Sequence, residues 1–154
     1  MEFFDAIEQI GPVRLLKASF YAYPIVNALH IAAIGALLTS VVLLDLRLLG
    51  AFAALPKAEF VSTFRRIAVL AFAVAALTGL TLFSVRASEY ATMPVFLLKM
   101  GLIAAALANF LGFVALQRRP GDGGVTAAGL RAAALASIVL WSSVLLCGRF
   151  IGFV

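Results

Sequence analysis

Four long apolar runs, at about 24–49, 67–85, 95–116 and 127–150, leave this chain few ways to fold. Each is long enough to cross the ~30 Å hydrocarbon core of a bilayer as an α-helix, which takes roughly 20 residues. The 154 residues are 64% hydrophobic and 12% charged, with a mean hydropathy of +1.12. An average soluble domain is nearer half apolar and a quarter charged, so water could not solvate the outside of this chain. The expectation is an all-α fold: a single transmembrane domain over 1–154, an integral membrane four-helix bundle with a short N-terminal interfacial helix within 2–20. Four spans and their connections use most of the length, so no separate soluble catalytic domain is expected.

The first residues do not read as a cleavable signal. Glu2, Asp5 and Glu8 stand where a basic region should be, and no small-residue cleavage site precedes Pro24. Instead Phe3, Ile7 and Ile10 share one helical face, the pattern of a helix lying in the interface, and Gly11-Pro12 breaks it. Phe20, Tyr21 and Tyr23 form the aromatic belt expected at headgroup level before the first span. The connections are short, with Pro56, Pro94 and Pro120 in or beside them.

The net charge of +5 is spread over helix ends, which is the placement of membrane-surface anchors and not of a nucleic-acid patch. Arg47, Lys57, Arg65, Arg66, Arg118, Arg119 and Arg131 follow spans one and three. Arg14, Lys17, Arg86, Lys99 and Arg149 fall on the opposite side. Seven cations against five place both termini outside, which in a bacterial inner membrane is the periplasm.

Polar residues inside a membrane are costly, so each calls for a partner or a role. Tyr23, Asn27 and His30 recur at spacings of four and three, one stripe of span one, and His30 is the chain's one histidine. Helix direction brings Lys99, Cys147, Arg149, Arg86 and Glu89 to the same half of the membrane. An imidazole can ligate haem iron, and cations at the rim can pair with propionates. The plain alternative is a His30 that hydrogen-bonds a facing hydroxyl or carbonyl and holds helices together. Asn109 reads as an interhelical hydrogen bond, Asp45 as the partner of Arg47, Arg65, Arg66 or a headgroup, and Gly35, Gly79, Gly101 and Gly112 as close helix contacts. Lone Cys147 allows no internal disulfide. Met93 and Met100 are soft donors for copper, without a clustered motif.

The order of motifs, YPIVNALHIAAIGALLTSVVLLDLRLLG, then RRIAVLAFAVAALTGLTLF, then PVFLLKMGLIAAALANF, then WSSVLLCGRFIG, resembles a family of small bacterial membrane proteins of unknown function. More widely, the chain is similar to the superfamily of the copper resistance protein D membrane domain and the HemJ-type protoporphyrinogen oxidase. The resemblance implies that His30 matches a span-one histidine used near haem b, and that Lys99 matches a lysine early in span three. HemJ-type proteins carry further histidines near the end of span three, where this chain has Asn109 and Phe110.

The expected function is a haem-binding or redox protein of the inner membrane. Its cofactor, haem b, would sit in an outward-facing pocket formed by His30, Lys99, Arg86 and Asn27, with His30 as metal ligand. The alternatives are a cofactor-free accessory or assembly subunit and a copper-handling membrane protein. The expected partners are the lipid bilayer and either a second copy of the chain or a larger membrane complex, with no nucleic acid.

Overall fold

The computed structural model describes residues 2–117 and 126–153. Arg118, Arg119 and Pro120 of the third connection lie outside them. Among the described residues the chain is helical without strands: α1 (Glu2–Glu8), α2 (Gly11–Ala18), α3 (Ala22–Leu48), α4 (Lys57–Val85), α5 (Ala87–Thr92), α6 (Pro94–Gln117) and α7 (Ala127–Phe150). The four long helices, α3, α4, α6 and α7, are apolar enough to cross a membrane. The protein is therefore an all-α, multi-pass membrane protein built as a four-helix bundle. Its punctuation is local. Pro12 sits in the first turn of α2, Pro56 precedes α4, Pro94 opens α6, and the Thr126 side chain accepts from the Gly129 amide to cap α7.

The second span differs from its expected start by ten residues, because α4 begins at Lys57 and not near 67. Nothing between Pro56 and Ile67 breaks a helix, and 29 residues at 1.5 Å each reach ~44 Å, well beyond the hydrocarbon core. The extra turns therefore carry Lys57, Glu59, Arg65 and Arg66 in the polar zone. The stretch 86–94, expected as a plain connection, holds the short helix α5, and the interfacial segment is two helices rather than one.

In a membrane there is no hydrophobic drive between helices, so small residues that let backbones approach decide the packing. Ala68, Ala71 and Ala75 form one buried stripe of α4, and Ala68 and Ala71 meet Leu37 of α3, the helix that packs most closely on α4; Ala33 of α3 is buried too. Leu37, Ala68 and Ala71 centre a core against which Val41, Phe72 and Trp141 pack. Helix α3 also packs on α7, and α7 on α6. The fourth side of the bundle is different: no Cα of α4 comes within 8 Å of a Cα of α6. Three edges of the bundle are closed and one stands apart.

Two expectations about polar and small residues need correction. Asp45 is not paired with an arginine. It is buried near Ser137 of α7, and its Oδ2 has no hydrogen-bond partner among the described residues. Arg47, two residues on and so on another face, bonds the Ala51 and Leu55 carbonyls of the following turn. Gly35, Gly101 and Gly112 are not close contacts, since a Cβ at each would meet nothing within 4 Å. Gly79 is one, and Asn109 makes an interhelical bond, Nδ2 donating to the Ala133 carbonyl at 3.0 Å.

Candidate functional site

Antiparallel connections bring the start of α3 and α6 to the same end of the bundle as the close of α4 and α7. Because α4 and α6 stand apart there, the bundle encloses a cavity of about 530 Å³, lined by residues of α3, α4, α5, α6 and α7. Sites for drug-sized ligands span roughly 300–1,000 Å³ and are mostly apolar with a few placed polar groups. This cavity has that composition. Phe72, Phe83, Phe96 and Trp141 are among its walls, and its ionisable side chains are His30, Tyr90 and Lys99.

His30 is held by two features of α4 that adjoin in sequence. Its Nδ1 lies 2.9 Å from Thr78 Oγ1, and that hydroxyl spends its proton on the Val74 carbonyl at 2.6 Å. The same hydroxyl reaches the Ala75 carbonyl at 3.3 Å, so its proton has acceptors on its own helix and its oxygen can accept from Nδ1; in that tautomer Nε2 keeps a lone pair. No side chain among the described residues bonds Nε2. Gly79, the next residue, makes room for the ring: a Cβ there would stand 3.0 Å from His30 Cε1. The imidazole is thus held at Nδ1 by Thr78 and given room by the absent side chain of Gly79.

Lys99 enters from α6, about 8 Å along the helix from Pro94. It is half-buried, and among the described residues it has neither a hydrogen bond nor an ion pair. Its ammonium lies 3.5 Å from where a Cβ on Gly148 of α7 would be. A cation in apolar surroundings with no anion beside it favours an acceptor brought by a ligand.

The end of the cavity is roofed by aromatic rings from three elements. Phe83 and Phe96 stack with centroids 5.3 Å apart, and Tyr90 of α5 stacks on Phe96 at 5.7 Å. Burial raises the pKa of the Tyr90 phenol above its ordinary value, so it stays a neutral hydroxyl. Phe4 of α1 meets Phe83 edge-on at 6.3 Å. The Glu8 carboxylate pins α1 to this roof, accepting from the Ser88 amide at 3.1 Å and hydroxyl at 2.7 Å while Lys17 of α2 pairs with it at 2.7 Å. These bonds hold its pKa at about 2, Lys17 contributing most and Ser88 next.

Of the four residues expected at the site, the structure brings His30 and Lys99 to one cavity. Asn27 is exposed on α3 and does not line it, and Arg86 pairs with the exposed Glu89, Nη2 to Oε1 at 2.9 Å. Sequence reasoning missed the aromatic walls and the part played by Thr78. The Thr-Gly pair was visible as a motif, and its one readable signal was a hydroxyl beside a glycine at a depth facing His30. Among the described residues no three His, Cys, Asp or Glu side chains gather as a metal site. No protein-family model matches the chain, and no curated protein or solved structure is significantly similar to it.

Proposed function

We propose that the protein is a redox protein of the bacterial inner membrane that holds a haem b in the cavity beside His30, with both termini in the periplasm and the cavity in the outer half of the bilayer. The observation that carries this reading is the anchored imidazole: Nδ1 committed to Thr78, Nε2 without a side-chain partner, on the wall of a large apolar cavity. Histidines that ligate metals almost always donate their other ring N–H in this way. His30 would hold the iron through Nε2. Lys99 would meet a carboxylate of the cofactor, and the rings of Phe72, Phe83, Phe96 and Trp141 would keep water from it. The haem, when bound, would supply one-electron transfer, and His30 and the apolar walls would tune its potential. With one histidine per chain, a second imidazole must come from another copy.

The test is an absorption spectrum, oxidised and dithionite-reduced, of the detergent-purified protein from haem-sufficient cells beside His30→Ala. Soret and α bands in the wild type that are lost or shifted in the variant are the expected result. A colourless wild type overturns the reading and leaves the accessory-subunit alternative, to be pursued by partner co-purification. Copper is the second reading, because Met100 lines the same cavity as His30. It requires copper in the purified protein that both His30→Ala and Met100→Leu remove.

A further inference from the structure

We propose that the cavity is filled from the side: a bilayer-dissolved amphiphile with an anionic head passes between α4 and α6 and leaves its head at Lys99 and its apolar body among the aromatic walls. The proposal rests on the reading of this cavity as a cofactor site and deepens it by naming where the ligand comes from and what chemistry it must have.

Each other direction is closed. The α3–α4 edge is sealed by the alanine stripe, with Ala68, Ala71 and Ala75 all buried. Towards the middle of the membrane, Phe72 and Trp141 meet edge-on at 6.3 Å above the core around Leu37. Towards the water, the Phe83, Tyr90 and Phe96 rings cover the end, and α1 is tied over them through Glu8 and Ser88. The remaining side is the one below the Phe83–Phe96 stack, where the backbones of α4 and α6 stay more than 8 Å apart. Its lips are apolar: Leu80 of α4 and Met100 of α6 line the cavity and are still 65% and 46% exposed. Lipid chains, and molecules dissolved among them, are what such an opening meets at this depth. The head must be anionic because the half-buried Lys99 ammonium has no anion of its own within the described residues. A soluble anion would have to pass the aromatic roof, whereas an amphiphile in the leaflet reaches Lys99 without crossing it.

Trp141 is the chain's one tryptophan and lines the cavity, so its fluorescence reports on this access without any cofactor. The protein would be placed in vesicles of phosphatidylcholine with or without bromine on the acyl chains, and separately exposed to iodide in the water. Bromine on the chains is expected to quench Trp141 while iodide does not. The double variant Ala76→Phe/Met100→Phe, which fills the gap, is expected to lose that quenching and to take up hemin from preloaded vesicles more slowly. Its helical circular dichroism should match the wild type. Iodide quenching that equals or exceeds bromine quenching, no quenching by either, or bromine quenching untouched by a folded double variant would overturn the proposal. The wild-type comparison stands even where the double variant does not fold. A colourless wild type with bromine-quenched Trp141 would remove the haem and leave the lateral access in place, so the two readings fail separately.

Discussion

At the residue scale, the decisive trio is His30, Thr78 and Gly79. Thr78→Val keeps the shape of the side chain and removes the acceptor for Nδ1. If His30 ligates a metal, haem titration of the apo-protein should show affinity lowered about 10- to 100-fold, the usual effect of losing an outer partner. If His30 only joins helices, the same change costs about 0.6 kcal/mol, at most ~1.7, in a detergent unfolding titration and has no spectral consequence. Gly79→Ala acts on the same ring from the other side. Its Cβ would stand 3.0 Å from Cε1, so the imidazole must give way and the Soret band should shift. Gly35→Ala is the control, since a Cβ there would meet nothing within 4 Å and Gly35 does not line the cavity. Of this trio, His30 was legible in the sequence as a polar residue with no business in lipid. Thr78 was not, because a threonine in a membrane helix ordinarily bonds its own backbone, as it also does here to Val74.

At the element scale, the Glu8 carboxylate ties α1 to both α5 and α2, beside the ring contact of Phe4 with Phe83. Glu8 has a pKa of about 2 in the folded protein against an ordinary 4.5. A depressed carboxylate stabilises the state in which it is bonded at pH values above the ordinary value, and that contribution is lost as pH falls through about 2. A spin label on Gln9→Cys, in a Cys147→Ser background, should therefore be immobile above about pH 4.5 and gain mobility progressively towards pH 2. Glu8→Gln should show the mobile spectrum at neutral pH with the helical content of the four long helices unchanged. A label equally immobile in both proteins would show that α1 is held by its ring contact with Phe83 instead. The first of these helices, α1, was readable from its amphipathic spacing and the Gly11-Pro12 break, and the second, α2, was not expected. Their attachment was not readable, because Glu8 and Ser88 lie 80 residues apart and each looks like an ordinary surface residue.

At the scale of the whole molecule, the proposed orientation rests on the distribution of cations and is open to direct test. With both termini outside, a C-terminal alkaline phosphatase fusion should be active and a C-terminal green fluorescent protein fusion dark; the reverse pair would invert the topology and put the cavity in the inner half. The sequence by itself determined the class of fold, since a chain this apolar can satisfy its backbone in lipid only as spanning helices. It also determined where they turn, through Gly11-Pro12, Pro56 and Pro94, and that His30 and Lys99 share one end of the bundle. What only the tertiary structure decided is which helices touch. All four are apolar on every side, so no stripe of hydrophobicity tells a lipid-facing side from a packed one. The choice rests on close fit around small residues such as Ala68 and Ala71 against Leu37, and on the pair left unpacked. That unpacked pair, α4 and α6, makes the cavity, and fit between surfaces is a property of folded backbones that no single run of residues contains.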